Sequence, residues 1–249
     1  MNCRSLPQGP FNTLVVVGES TVEGGRWLSK PEERWADILW KLLEHAQEQP
    51  LQYHNAGIGG DVISTASPGY EAVKHCCQER LESDVIAYNP DLVVIAYGLN
   101  DMRAGMNVSD FKIEMTKIID CIRNTIQPLI VLANVYHMSH YEQHCPPFNR
   151  GSVNKTMEYN RMLLELAAEK TCAYADVWGA EGQKDYVVHP DTIHANKIGN
   201  MLIAHKVFET IVHSAPGIAI NVNKRDATAH SAWRTQKLSR QAIRGKKQT

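Results

Sequence analysis

The chain has 249 residues, and its 26 lysines and arginines nearly balance 27 aspartates and glutamates, for a net charge of -1. Hydrophobic residues make up 43% of the sequence and charged residues 21%, a composition typical of a globular protein rather than a disordered or fibrous one. The near-neutral charge argues against a nucleic-acid binder, which carries a basic surplus. No apolar run reaches the roughly 18 residues that a membrane helix needs. We therefore expect neither a nucleic-acid partner nor a membrane span.

The first residues and the cysteines indicate a cytoplasmic protein. Residues 1–7 lack the apolar stretch and small-residue cleavage site of a secretory signal. The six cysteines are scattered without a C-x-x-C pair, the pattern of free thiols in a reducing compartment. They are Cys3, Cys76, Cys77, Cys121, Cys145 and Cys172. The sequence carries no signal for an oligomeric state.

Five apolar runs predict β-strands, and apolar residues at helical spacing predict helices between them. The predicted strands cover residues 13–17, 51–54, 91–97, 129–135 and 173–177. The predicted helices are one that includes Trp35 and ends before Pro50, followed by 70–81, 111–126, 157–170 and 198–212. This alternation predicts an α/β fold, a single three-layer α/β/α sandwich with a central, mostly parallel five-stranded sheet.

The composition changes after Ala215. Beyond it, eight lysines and arginines face a single acidic residue, Asp226, and apolar residues are sparse. Before this point the chain shows no internal repeat and no domain-sized shift of composition. We therefore predict one domain over residues 1–215 and a basic, flexible tail over residues 216–249.

Four short polar blocks lie where a parallel α/β sheet collects its functional residues, beyond the carboxyl ends of its strands. The blocks are residues 18–21 (GEST), 55–61 (NAGIGGD), 98–101 (GLND) and 191–194 (DTIH). In this order they supply a hydroxyl, glycine backbone, a side-chain amide, and then a carboxylate and an imidazole. Acyl transfer needs this set, because a serine hydroxyl requires a base and the base requires an orienting carboxylate. Glycine N–H groups and an amide can hold the oxyanion that forms.

Taken together, these blocks resemble those of the SGNH hydrolases, also called GDSL-type esterases and lipases. The resemblance runs from about Thr13 to Val212. It includes further matching positions outside the blocks, which are Trp35 and Leu39, the pair Tyr159-Asn160, and Gly199. It implies a flavodoxin-like α/β/α sandwich and a hydrolase that acts on carboxylic esters without a cofactor or metal.

The resemblance also implies a role for each site residue. Ser20 is similar to the family's nucleophile, His194 to its base and Asp191 to the partner of that base. Gly60 and Asn100 match the family's oxyanion-hole residues, with the Ser20 N–H as a third donor. The nearby His189 is expected not to be the base.

One position departs from the family pattern, because Glu19 stands where the first block usually has aspartate. If that carboxylate secures the turn by accepting backbone N–H groups, a longer glutamate does so with a small shift. The departure concerns the geometry of the nucleophile loop and leaves Ser20 as the expected nucleophile.

The residues leave the substrate open. We expect short acyl groups, such as acetyl on a carbohydrate or another small alcohol, because no long apolar lid segment is present. Segment 136–152, with Tyr136, Tyr141, Phe148 and Arg150, is expected to overhang the site, with Trp27 near the other wall. An acyltransferase, a lysophospholipase and a thioesterase use the same triad and remain alternatives.

Interpretations other than this serine-dependent acyl chemistry agree less well with the sequence. The glycine-rich turns match neither G-x-G-x-x-G nor the P-loop, which argues against a non-catalytic nucleotide-binding protein. Val22 stands where the G-x-S-x-G elbow of the α/β-hydrolases needs its second glycine. A cluster of three histidines and a cysteine follows the fourth strand without an H-E-x-x-H motif, so we expect no metal site. These four residues are His137, His140, His144 and Cys145.

Overall fold

The computed structural model describes residues 8–219 and 229–236. One sheet contains five strands: β1 (Thr13–Gly18), β2 (Gln52–Gly57), β3 (Leu92–Ala96), β4 (Leu129–Ala133) and β5 (Ala173–Ala175). Their order across the sheet is β2-β1-β3-β4-β5, and each neighbouring pair is parallel. The predicted α/β fold and parallel five-stranded sheet are confirmed. The strand β2 runs three residues past its predicted end.

Nine helices connect and cover the strands in the described part of the chain. They are α1 (Ser20–Glu23), α2 (Trp35–Gln47), α3 (Tyr70–Val73), α4 (Cys77–Asp84), α5 (Leu99–Ala104), α6 (Val108–Thr125), α7 (Val153–Glu169), α8 (Val177–Ala180) and α9 (Lys197–Ser214). Single 3-10 turns lie at Pro31–Glu33, Ile86–Tyr88, Tyr141–Gln143, Asp185–Val187 and Pro216–Ala219. Residues 229–236 are also helical.

The core lies between the sheet and its helical layers. The strands β1 and β4 are buried along their whole length, as continuous Val, Ile and Leu runs covered on both faces should be. The helix α2 buries Trp35, Leu39 and Leu43, one stripe at a spacing of four residues. It packs on α9, where the Trp35 N–H donates to Oδ1 of Asn200 at 2.9 Å. The first and last long helices therefore close the same side of the domain.

The single helix predicted over residues 70–81 is wrong. Lys74, with φ +62°, ends α3, and Cys76, with an extended backbone, is the N-cap of α4. Between these helices Cys76 forms a parallel bridge with Val62, and the Cys77 N–H donates to the Val62 carbonyl at 2.9 Å. Backbone pairing with the loop after β2 thus interrupts the helix that the apolar periodicity predicts.

The packed part of the chain continues past Ala215. Ile218, in the turn Pro216–Ala219, is 1% exposed and belongs to the hydrophobic core. Most of the predicted basic tail lies outside the described residues, so its flexibility stays a prediction. In the described ranges, no helix is both long enough and apolar enough to cross a membrane.

Candidate active site

Ser20 lies at the turn between β1 and α1. Gly18 ends the strand, Glu19 is the N-cap of the helix and Ser20 is the first helical residue. Ser20 is only 8% exposed. Its Oγ lies 2.8 Å from Nε2 of His194, which follows it by 174 positions. The fold thus brings the first and last of the four polar blocks into contact.

The loop that carries His194 is held by hydrogen bonds to one carboxylate. The two ends of this loop are joined by an isolated antiparallel bridge between Val188 and Ala195. Inside the loop, Oδ1 of Asp191 accepts the backbone N–H groups of Ile193 and His194 at 3.0 and 2.9 Å. Its Oδ2 lies 2.8 Å from Nδ1 of His194. The same side chain therefore shapes the loop and orients the imidazole.

The charge states of this pair suit proton transfer. Burial lowers the pKa of His194 below its ordinary value, and hydrogen bonding to Asp191 offsets this only in part. Burial also disfavours ionisation of Asp191, but the His194 backbone N–H and imidazole outweigh it, so the pKa of Asp191 is lowered. At neutral pH a neutral imidazole therefore lies between a hydroxyl and a carboxylate, the state that accepts a proton.

His189 is a second imidazole beside the same carboxylate. Its Nδ1 lies 3.1 Å from Oδ2 of Asp191 and accepts the Asp191 backbone N–H at 3.2 Å. In the described part of the chain, the Ser20 hydroxyl is hydrogen-bonded to His194 and not to His189. The geometry thus favours His194 as the base.

The two other blocks meet the Ser20 turn because β2 and β3 flank β1 in the sheet. Gly60 follows β2 and has a φ of +78°, a left-handed conformation that favours glycine. Asn100 lies in the first turn of α5, directly after β3. Within residues 8–219, the backbone N–H groups of Gly60 and Ser20 donate to no protein acceptor. Both remain available to a ligand.

The side-chain amide of Asn100 is held from two sides. Its Nδ2 donates to the backbone carbonyl of Asp61 at 3.0 Å, and its Oδ1 accepts from Nη1 of Arg103 at 3.2 Å. An amide nitrogen carries two hydrogens, so one remains for a further acceptor. Arg103 was not among the residues expected at the site, although a residue three positions after Asn100 on a helix lies on the same face.

The carboxylate of Asp61 fixes the loop that contains Gly60. Asp61 is fully buried. Its Oδ2 accepts from the Tyr97 hydroxyl at 2.5 Å and from Nη2 and Nε of Arg80 at 2.7 and 2.9 Å. Its Oδ1 lies 2.9 Å from Nδ1 of His75. These contacts tie the loop that contains Gly60 to α4 and to the residue that follows β3.

Glu19 does not stabilise the nucleophile turn in the way that the sequence suggests. Its side chain makes no capping hydrogen bond to α1, and its Oε2 is buried without a partner among the described residues. Burial raises the pKa of Glu19 well above its ordinary value, and the nearby Asp101 raises it further. The interior carboxyl therefore favours its protonated form more than an exposed glutamate does, and it does not cap α1.

Aromatic side chains lie beside His194 and beside Arg103. Trp27 stacks on the imidazole of His194. From segment 136–152, the Phe148 ring centre lies 5.5 Å from the guanidinium carbon of Arg103, and Tyr136 is buried. The Tyr141 hydroxyl lies 2.9 Å from Oγ1 of Thr156 on α7.

The histidine and cysteine cluster after β4 does not converge. The His137 Nε2 lies 3.1 Å from Oδ1 of Asp185, whereas the His144 Nε2 lies 3.5 Å from Oγ1 of Thr192. No group of three or more metal-ligating side chains of His, Cys, Asp or Glu comes together in the described ranges.

Comparison with known proteins places this site in a family. The sequence matches the profile of the GDSL-like lipase/acylhydrolase family over residues 16–202. An acetylxylan esterase from Geobacillus stearothermophilus is 22% identical over 227 residues, which cover 82% of this chain and 95% of that protein.

Solved structures share the fold. A structure of the G. stearothermophilus acetylxylan esterase aligns with a TM-score of 0.61 and 19% identity, over 84% of this chain and 96% of that one. A lipase/acylhydrolase from Enterococcus faecalis aligns with a TM-score of 0.63 and 19% identity, over 80% and 95%. The solved catalytic mutants of the acetylxylan esterase each replace a serine, an aspartate or a histidine by alanine. The chain therefore belongs to the GDSL-like lipase/acylhydrolase family, the SGNH hydrolases, and is a serine esterase.

Proposed function

We propose that Ser20, His194 and Asp191 hydrolyse a carboxylic ester through an acyl-enzyme. His194 Nε2 takes the hydroxyl proton while Ser20 Oγ attacks the ester carbonyl carbon. The same nitrogen then protonates the departing alcohol as the carbon–oxygen bond breaks. Water, deprotonated by His194, attacks the acyl-enzyme and releases the carboxylic acid with Ser20 restored. The distance of 2.8 Å between Ser20 Oγ and His194 Nε2 is the observation that carries this proposal.

The oxyanion of each tetrahedral intermediate is held by three donors. We assign these to the backbone N–H groups of Ser20 and Gly60 and to the amide of Asn100. The first two have no protein acceptor within residues 8–219, and the third retains one free hydrogen. Donors that are already in place stabilise a developing charge without reorganisation at the moment of reaction.

The preferred substrate is a short acyl group, acetyl in particular, on a carbohydrate. The acetylxylan esterase relative supports this choice, since the match covers 82% of this chain and 95% of that protein. The sequence also contains no long, strongly apolar lid segment, and an acetyl group does not require one.

The test is hydrolysis of p-nitrophenyl esters from acetate to palmitate, together with acetylated xylo-oligosaccharides. We expect the highest kcat/KM for acetate and release of free acetate from the sugar. Ser20→Ala and His194→Ala should lose activity by about 10⁴-fold or more. The exposed residues Ser109 and His205 offer matched controls as Ser109→Ala and His205→Ala.

Three results would contradict the proposal in different ways. Activity retained in Ser20→Ala would exclude this serine as the nucleophile. A maximum at long chains would exclude the short-acyl preference and leave the mechanism in place. Transfer of acetyl to an added alcohol, with little free acetate, would assign the same triad to an acyltransferase.

A further inference from the structure

Arg103 is a buried cation that forms no ion pair with a carboxylate in the described structure. It is 7% exposed, and its Nε has no hydrogen-bond acceptor within residues 8–219. Buried arginines are normally paired with carboxylates, whereas the ion pairs between described residues include none to Arg103. Its guanidinium instead donates a hydrogen bond from Nη1 to Oδ1 of Asn100 at 3.2 Å.

The guanidinium is held in this position by close packing. A Cβ atom at Gly151 would lie 3.2 Å from Cγ of Arg103 and 3.0 Å from Cδ1 of Tyr141, so the absence of a side chain there makes room for the arginine stem. The Phe148 ring lies near the guanidinium, and the Arg103 carbonyl accepts the Arg150 N–H at 2.8 Å. Residues 148–151, which follow β4, thus pack against Arg103 and limit the positions that its side chain can take.

The charge of Arg103 also reaches the catalytic residues. It lowers the pKa of His194 and opposes the rise in the pKa of Glu19 that burial causes. The raised pKa of Glu19 reduces the negative charge that this carboxyl places near the guanidinium, and neither Glu19 nor Asp191 forms an ion pair with Arg103 among the described residues. A positive charge remains beside the amide that faces the reacting carbonyl.

We propose that Arg103 is a positioning residue for the oxyanion hole. Its guanidinium fixes the Asn100 amide with Nδ2 toward the oxyanion, and by donating to Oδ1 it makes the amide N–H a stronger donor. A flipped amide would bring its oxygen against the Asp61 carbonyl and its NH₂ against the guanidinium, so both contacts select one orientation. This inference rests on the proposed roles of Ser20 and Asn100.

Three substitutions separate the charge of Arg103 from its hydrogen bond. Arg103→Met removes both, Arg103→Gln keeps a neutral donor, and Arg103→Lys keeps the charge. Because a hydrogen bond from a charged group contributes two to three times as much as a neutral one, we expect Arg103→Met to lower kcat roughly 10- to 100-fold. We expect a smaller loss in the other two and little change in KM. Arg161→Met, on the exposed face of α7, is the control for loss of a positive charge.

A double-mutant cycle with Asn100→Ala tests whether Arg103 acts through the amide. If it does, Arg103→Met costs little further activity once Asn100 is already alanine. Equal costs in both backgrounds, or wild-type activity in Arg103→Met, would overturn the proposal. Activity retained in Ser20→Ala would instead overturn the proposed function, so the two failures are distinguishable.

The pH profile gives a readout that a purely structural role would not change. Asp191, His189 and Arg103 are the charged or titratable groups that act on His194. Removing the positive charge raises the pKa of His194, so the acid limb of kcat/KM should shift to higher pH in Arg103→Met and Arg103→Gln. It should stay in place in Arg103→Lys. Thermal unfolding of each variant shows whether it folds. If Arg103→Met does not fold, the acid limbs of Arg103→Gln and Arg103→Lys are compared instead, since they differ in the positive charge.

Discussion

The indole of Trp27 lies face to face with the imidazole of His194, with ring centroids 3.6 Å apart and planes inclined by 5°. The imidazole is bonded at one nitrogen to Asp191 and at the other to Ser20. The ring therefore has two partners in its plane and an aromatic cover on one face. Trp27 comes from the segment after α1, so Ser20 and the ring that stacks on His194 belong to adjacent parts of the chain.

Replacing Trp27 by alanine is expected to lower kcat about tenfold with a smaller change in KM. Without the indole, the imidazole loses the stacked ring that restricts its orientation. An imidazolium formed in the transition state also loses the stabilisation that an aromatic face gives to a cation. Trp27→Phe should retain more of the activity because it keeps a smaller aromatic face. Steady-state kinetics with p-nitrophenyl acetate provides the measurement, with Trp233→Ala as the control, since Trp233 is 54% exposed. Equal activity in Trp27→Ala and the wild type would exclude a contribution from the stack.

Replacing Asn100 by alanine is expected to lower kcat by about 10²–10³-fold and to leave residual activity. The amide is one of three donors, so the backbone N–H groups of Ser20 and Gly60 continue to hold the oxyanion. The measurement is kcat for the best ester of the series. Asn154→Ala, on exposed α7, is the matched control. An unchanged kcat would show that the Asn100 amide does not face the oxyanion.

The acid limb of the wild-type pH profile should lie below the ordinary histidine value of 6.5, because the pKa of His194 is lowered. His194 acts as a base only when neutral, and the Asp191 carboxylate favours its charged form. Asp191→Asn removes that effect and should move the limb to still lower pH. It should also reduce kcat by about 10⁴-fold, because the asparagine does not stabilise the imidazolium or its correct tautomer.

The pH dependence of kcat/KM from pH 4 to 9 reports the pKa values of the free enzyme. It therefore tests the position of the acid limb in the wild type and its shift in Asp191→Asn. Asp185→Asn is the control, since Asp185 contacts His137 and not His194. A limb that moves to higher pH in Asp191→Asn would contradict the assigned pairing.

Glu19 should make the domain less stable as the pH rises. Its pKa is raised above 4.5 in the folded state, chiefly by burial. The folded chain therefore binds this proton more tightly than the unfolded chain. The resulting stabilisation is complete below pH 4.5 and is lost as the pH rises toward the folded pKa.

Glu19→Gln resembles the protonated form and should remove this part of the pH dependence, with the fold retained. Urea unfolding from pH 4 to 8 measures the difference between the two proteins. Asp101, with a pKa raised to about 7, and Glu181, with a pKa raised to about 8, contribute the same trend in both. Identical slopes for wild type and Glu19→Gln would mean that Glu19 is ionised in the fold.

Much of the fold follows from the sequence because its interior strands are unbroken apolar runs. The strands β1, β3 and β4 contain little besides Val, Ile, Leu and Ala, and such runs have one favourable location in an α/β domain. The polar blocks come directly after strands, and parallel strands bring their carboxyl ends to one edge. The contact between Ser20 and His194 is the outcome of that topology.

Contacts that depend on packing between loops were harder to predict. The hydrogen bond from Arg103 to Asn100 depends on a segment that passes over α5 at Gly151. The break between α3 and α4 depends on backbone pairing of Cys76 with Val62. The interior position of Glu19 depends on the residues around it, since an acidic side chain at a helix N-terminus usually lies in solvent and interacts with the helix dipole. In each case a tertiary contact outweighs the local pattern.

The separation of Ser20 from His194 by 174 residues also determines when the proposed catalytic pair is complete during synthesis of the chain. At about 5–20 residues per second, the ribosome adds the histidine on the order of 10 to 35 seconds after the serine. The helix that packs on α2 follows the histidine loop, so the site closes only when nearly the whole domain has been made. A nascent chain that lacks residue 194 therefore carries Ser20 without the base that we propose for it.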